Sequence, residues 1–175
     1  MKFISLTTEE QIMIHYRKEL KTHYSNSDFL FHIILISVPL VTAVLSIVKE
    51  SILWTIVFVG LGAGVTVTIL RFYCTRCPHY TREGKYLRCI FFWGLPKLFT
   101  KRPGKLNISD KVITYSATMV LLVFPVYWLL MSPGLLIVYL LSLIVLGAAI
   151  YRHECDRCIY FECPANRVPE AIKNP

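Results

Sequence analysis

Apolar positions gather in four long runs, residues 29–48, 52–70, 112–131 and 135–151, separated by short polar or basic stretches. Crossing a hydrocarbon core of roughly 30 Å takes a helix of about 20 residues, with a working range of about 17–25. All four runs meet that length, the last at the short limit with Tyr151 as an interfacial anchor. Lipid offers no partner for backbone N–H and C=O groups, so each run must satisfy its own and is predicted to be a helix. The pattern therefore predicts an all-α integral membrane protein with four transmembrane helices. No Asp, Glu, Lys or Arg lies within any run. This disfavours a proton- or ion-coupled transporter, which places ionisable groups at membrane depth.

The connections are very unequal. Lys49-Glu50-Ser51 and Ser132-Pro133-Gly134 join the runs into two hairpins, whereas the stretch between the hairpins is long and basic. Eighteen of the nineteen Lys and Arg residues fall in residues 1–28, in 71–111 or from Arg152 onward, all on one side of a two-hairpin arrangement. The positive-inside rule then predicts an inner-membrane protein with both termini and the central loop cytoplasmic. The first run begins behind a polar stretch and is too long for a signal h-region, so it reads as a retained span. The formal net charge of +8 is thus a topology signal; no soluble basic domain supports nucleic-acid binding.

Five segments follow: an amphipathic N-terminal segment (1–28), a first hairpin with its cysteine motif (29–89), a basic aromatic loop (90–111), a second hairpin with its cysteine motif (112–163) and a tail (164–175). In the first, Thr7 and Glu10 have capping-box spacing, and Ile12, Tyr16, Leu20 and His23 share a helical face opposite Arg17, Lys18 and Lys21. This predicts an interfacial helix on the cytoplasmic leaflet, or one packed on the protein's own loops. Gly60, Gly62 and Gly64 put a GxxxG on the second run, read as close packing within the monomer or a dimer face. Trp54 and Trp128 mark the outer ends of their runs, and Tyr73 and Tyr151 the inner ones. His32 is read as a packing or headgroup residue, with a quinone or cofactor contact as the alternative.

The pattern RxxCxRC occurs twice, from Arg71 to Cys77 and from Arg152 to Cys158, each time directly after a hairpin. Pro39 and Pro125 within the first and third runs, and Asp28 and Asp110 before them, extend the correspondence. Two tandem repeats in the same direction imply a pseudo-two-fold axis along the membrane normal. All six cysteines fall on the predicted cytoplasmic side, where stable disulfides are disfavoured and closely spaced thiols suggest metal or redox chemistry. Cys74, Cys77, Cys155 and Cys158 would together supply four thiolates, the set that tetrahedral Zn²⁺ or an iron–sulfur cluster requires. Arg71, Arg76, Arg152 and Arg157 would offset the charge of such a site from behind it. Cys89 and Cys163 are spare in that scheme and could replace two ligands, bind a second centre or be small core residues; His79 could complete a mixed zinc site.

Cys77-Pro78 and Cys163-Pro164 carry the cysteine-proline step of bacterial ferredoxin ligand runs. With four spans and cytoplasmic cysteines, the layout resembles membrane-bound ferredoxin-like subunits that pass electrons from quinol to periplasmic reductases. The resemblance covers the topology and two dipeptides, and the spacings here are CxxC and CxxxxCP rather than that family's CxxxCP. Four-helix membrane thiol oxidoreductases are the other comparison, and their working CxxC communicates with the oxidising side. The central loop, residues 90–105, interleaves aromatics with Gly and Pro before a run of basic residues. It reads as lipid-binding through Trp93, Lys97, Lys101, Arg102 and Lys105, or as a docking surface for a cytoplasmic partner. No nucleotide loop, Ser-His-Asp set or pair of catalytic carboxylates can be assembled. The expected function is a small electron-transfer or accessory subunit of a membrane complex rather than a stand-alone enzyme. It would hold an iron–sulfur cluster, with the lipid bilayer, a protein partner and a quinone as its contacts. A structural zinc site in a scaffold or assembly protein is the alternative, and a thiol-disulfide oxidoreductase the third.

Overall fold

A computed structural model describes residues 20–21, 24–81, 84–102, 104, 106–161, 163 and 166–173, without the side chains of Thr81 and Ala171. The N-terminal capping box, Ile12, Tyr16, His23 and Lys105 lie outside the described residues. The chain divides into two compact units, His23–Ala148 and Met1–Thr22 with Ala149–Pro175.

The described chain is mostly helical, and four of its helices are long and apolar enough to cross a membrane: Asn26–Val48, Ile52–Arg76, Ile108–Leu130 and Pro133–Glu154. Each covers the apolar run that predicts it, the third short of it by Met131, and is extended mainly at the basic end. The first, α1 (Asn26–Val48), opens on a capping box. Asp28 N–H donates to Ser25 Oγ and Ser25 N–H donates to Asp28 Oδ2 at 3.0 Å. Asp28 is therefore spent on the helix start, which absorbs two of the N–H groups a helix leaves without partners. Pro39 sits inside α1 without ending it.

α2 (Ile52–Thr68) continues through a π turn, Ile69–Tyr73, and a 3₁₀ turn, Cys74–Arg76, then a short α3 (Pro78–Thr81). Proline at the first position of α3 loses no helical bond, because its missing N–H would have no intrahelical acceptor there. Two strands follow, β1 (Tyr86–Arg88) and β2 (Trp93–Pro96), paired antiparallel with Tyr86 opposite Pro96 and Arg88 opposite Trp93. The register shifts between those pairs, and Gly94 takes φ +75° within β2, a left-handed conformation that a side chain would strain. This hairpin departs from the loop expected over the central segment.

The third span is broken. α4 (Ile108–Val123) ends at Phe124-Pro125 and α5 (Val126–Leu130) resumes, since proline cannot donate back along the helix. α6 (Pro133–Ala149) forms the fourth span and runs into a second π turn, Ile150–Glu154. The tail closes with α7 (Glu170–Lys173).

The membrane core is made by Ala43, Ile47, Phe58, Leu129 and Tyr139. Around it Trp54, Phe124 and Trp128 form an aromatic cluster, with the two indoles 5.8 Å apart and Phe58 stacked on Phe124 at 5.8 Å. Trp54 and Trp128 thus pack against each other. Tyr139 carries its hydroxyl into the break in the third span and donates to the Leu122 carbonyl at 2.8 Å. In lipid no water would take that acceptor, so Tyr139 ties the fourth span to the third. Tyr139→Phe is expected to cost about 1–2 kcal/mol of unfolding free energy in a detergent or bicelle titration, the upper range for one hydrogen bond within a membrane. An unchanged midpoint would show the Leu122 carbonyl finds another donor. The remainder of the fourth span is lightly packed, with 6% of its apolar window buried.

Within the chain the glycine stripe makes little contact among the described residues. A Cβ on Gly60 or Gly64 would meet nothing within 4 Å, and one on Gly62 would meet Leu121 Cδ1 at 3.9 Å. Close packing within the monomer is therefore confined to Gly62.

Candidate thiol centres at the ends of the hairpins

Both copies of RxxCxRC begin inside a π turn, and the first cysteine closes it in the same way. Cys74 N–H donates to the Ile69 carbonyl, and Cys155 N–H donates to the Ile150 carbonyl at 3.1 Å. Single π turns of this kind recur at functional sites.

In the unit His23–Ala148, the 3₁₀ turn is closed by Cys77 N–H donating to the Cys74 carbonyl at 2.9 Å, and Tyr80 N–H then donates to the Cys77 carbonyl at 2.9 Å. Cys89 leaves β1, and its N–H reaches the Phe92 carbonyl across the hairpin turn at 3.2 Å. Folding the hairpin back brings Cys89 and Cys77 within electrostatic reach of Cys74. Cys74 is buried in a small cluster with Leu70, Tyr80 and Leu87, against which Ile69, Phe92 and Phe99 pack. Tyr80 fastens the exit of the hairpin: its hydroxyl donates to the Phe99 carbonyl at 2.6 Å and accepts from Phe99 N–H at 2.9 Å. His79 is buried beside Tyr24, ring centroids 5.0 Å apart.

In the other unit, Cys155 lies within electrostatic reach of Cys163 and Cys158. Asn166 gathers this loop. Its side-chain amide donates to the carbonyls of Cys158 at 2.8 Å and Tyr160 at 3.2 Å, its N–H donates to the Cys163 carbonyl at 3.0 Å, and its Oδ1 accepts from Val168 N–H. Tyr160 N–H points at Cys158 Sγ, 3.4 Å away, the kind of amide donor that stabilises a thiolate. Lys21 forms a β-bridge to Cys158 and pairs its ammonium with the buried Glu154 at 3.2 Å. Leu20 and Lys21 are accordingly outside any helix, and the amphipathic face expected through His23 does not run that far.

Cys89 thus lies near the first CxxC pair and Cys163 near the second, which fits their reading as further donors. The expected four-thiolate set draws Cys74 and Cys77 from one unit and Cys155 and Cys158 from the other. Among the described residues no group of three or more His, Cys, Asp or Glu is arranged to hold a metal ion. None of the six cysteines is in a disulfide. The Cys155 thiol is pushed up to about 11, first by burial and then by the negative charge of Cys163, Cys158, Asp156 and Glu154. It is therefore protonated at neutral pH and a poor nucleophile by itself.

The arginines expected behind the thiols have other partners as well. Arg76 Nε lies 2.9 Å from Asp110 Oδ2, both side chains nearly buried, which pins the cysteine turn to the first turn of α4. Arg71 stands over the Phe99 ring at 5.5 Å. Arg152 and Arg157 are exposed, and the Arg157 carbonyl accepts from Lys21 N–H at 2.7 Å. In the central loop Lys97 stands over the Tyr80 ring at 5.8 Å, Trp93 stacks on Phe29 at 6.3 Å, and Arg102 N–H returns to the Thr75 carbonyl at 3.0 Å. Tyr80 and Asn166 are organisers that the sequence reading does not name; Asp110 enters it only as an acidic residue repeated before a span, and Lys21 only as part of a polar helical face.

His32 is buried on α1 with Nδ1–H donating to the Asp28 carbonyl at 2.9 Å, the arrangement of a packed histidine. No protein family, curated protein or solved structure matches this chain.

Proposed function

We propose that this chain is a multi-pass inner-membrane protein with its termini and central loop in the cytoplasm. In this reading it carries a thiolate-ligated metal centre there and serves as a small electron-transfer or accessory subunit of a membrane complex. The observation that carries the reading is the gathering of three thiols behind the same π turn in each half. Burial first, and then the charge of neighbouring thiols and carboxylates, raises the Cys155 thiol, and a bound cation would offset both effects. The donor set is soft thiolate, which fits an iron–sulfur cluster or zinc. Cys74 and Cys77, Cys155 and Cys158 are the proposed ligands, with Cys89 and Cys163 as further donors. A bound cluster would supply one-electron transfer to and from a quinone or a protein partner. The cysteine-proline steps and the amide donor on Cys158 Sγ favour iron–sulfur over zinc. The repeated π turns also support a tandem duplication.

A zinc reading has its own observation: Cys74 lies in the hydrophobic cluster of a small folded segment, where a structural metal would brace the hairpin. Anaerobic purification followed by metal, sulfide and absorption analysis separates the two. About four irons per cluster with equal sulfide and a broad visible band are expected. Zinc without colour would leave the scaffold reading standing and sink electron transfer. Cys77→Ser and Cys158→Ser should each lower the metal content, and full content in both would refute the ligand assignment. A protein without metal whose thiols alkylate rapidly at neutral pH would instead support thiol-disulfide chemistry.

A further inference from the structure

The hairpin of β1 and β2 is held at a defined depth beside the spans. Trp93 stacks on Phe29 in the first turn of α1, and Leu87 shares a buried cluster with Leu70 at the end of α2. Phe29 and Leu70 both belong to helices long and apolar enough to cross a membrane. A hairpin packed on those residues lies at the boundary of the hydrocarbon rather than out in water.

Its inward side chains are used by these contacts, and the outward ones are left over. Tyr86, Phe91, Leu95 and Leu98 are exposed, Leu98 by 65%. Residues 84–102 carry five basic side chains, Lys85, Arg88, Lys97, Lys101 and Arg102, and no acidic one. Large exposed apolar groups interleaved with cations, without a single anion, are unfavourable on a surface facing water. They suit the zone where acyl chains meet phosphates.

We infer that the outward face of this hairpin and its exit through Leu98 docks on the anionic phospholipid headgroups of the adjoining leaflet. Leu95 and Leu98 enter the acyl boundary, and Lys97, Lys101 and Arg102 meet phosphates. The inserted residues differ from the aromatics that composition suggests. Trp93 is engaged with Phe29, and Phe99 is held by Tyr80 and covered by Arg71. The inference is independent of any metal at the cysteines.

Amide hydrogen exchange on the full chain tests it, in nanodiscs of phosphatidylcholine alone and of phosphatidylcholine with one-third phosphatidylglycerol. Peptides covering residues 84–102 should exchange about fivefold more slowly in the anionic discs. The difference should collapse in K97Q/K101Q/R102Q, while peptides from α2 and α4 exchange as in the unmodified protein. L95Q/L98Q should exchange faster in both lipids. Equal protection of the unmodified protein in the two lipids would overturn the inference. So would protection in phosphatidylcholine discs restored by millimolar inorganic phosphate, which would indicate an anion site rather than a leaflet.

Discussion

Replacing Arg76 with Ala is expected to destabilise the protein by about 3–5 kcal/mol, the usual result of stripping one partner from a buried ion pair. Arg76 Nε and Asp110 Oδ2 are 2.9 Å apart, and their side chains are 13% and 9% exposed. Without Arg76 the Asp110 carboxylate would stay desolvated and uncompensated in the first turn of the third span, so the loss exceeds what the pair itself contributes. Asp110→Asn should cost less than Arg76→Ala because it leaves a neutral acceptor beside the guanidinium. The paired change Arg76→Met with Asp110→Leu should recover most of the loss, since it removes both charges at similar volume. Denaturant titrations of the four proteins in one detergent give the comparison. A loss below about 0.5 kcal/mol for Arg76→Ala would place the pair among solvated ones. Because Arg76 lies between the two cysteines of the first CxxC, the same variants should also raise alkylation of Cys77.

Leu87→Ala is expected to cost about 2–5 kcal/mol in the local stability of the β1–β2 hairpin, the range for deleting a buried leucine side chain. Leu87 is 2% exposed and packs with Leu70, Cys74 and Tyr80 in a cluster too small to close around the void. Exchange protection of residues 84–102 should fall together, and Cys74 should become accessible to alkylating reagents. Cys155 lies in the other compact unit and serves as the internal control, its reactivity expected to stay unchanged. Rapid alkylation of Cys155 in the same variant would mean that the cluster supports more than its own unit. If only Cys74 responds, hydrophobic packing of the hairpin, rather than the thiols themselves, shapes the first cysteine set.

The spans were legible because their signal is a long average. Some twenty apolar residues without a charge admit one solution in lipid, and no single neighbour alters it. Local features were less secure. Pro39 and Pro125 look equivalent in the sequence, yet α1 runs through the first while the third span breaks at the second, where Tyr139 of another helix takes a freed carbonyl. The segment IFFWGLP reads as a loop, because strands of three and four residues give too short a pattern to separate from an aromatic linker. Its pairing rests on Gly94, whose positive φ permits the register shift. Once the hairpin folds, Trp93 and Phe99 turn inward and Leu95 and Leu98 outward, a reversal that composition could not reveal.

The cysteines show the same division. Repetition of RxxCxRC, and its position after each hairpin, follow from the sequence alone, because motif spacing and chain order are properties of the chain. Hydrophobic run length likewise determined that four helices can cross a membrane. Which thiols stand together was decided only by tertiary structure. Cys89 lies twelve residues beyond Cys77 in the sequence and reaches Cys74 because a β-hairpin folds back on Leu70. Cys163 is drawn to Cys155 by a loop that Asn166 ties together. Arg76 reaches Asp110 across more than thirty residues for the same reason: short-range patterns set elements, whereas partners for charges and thiols depend on how packed elements bring distant residues together.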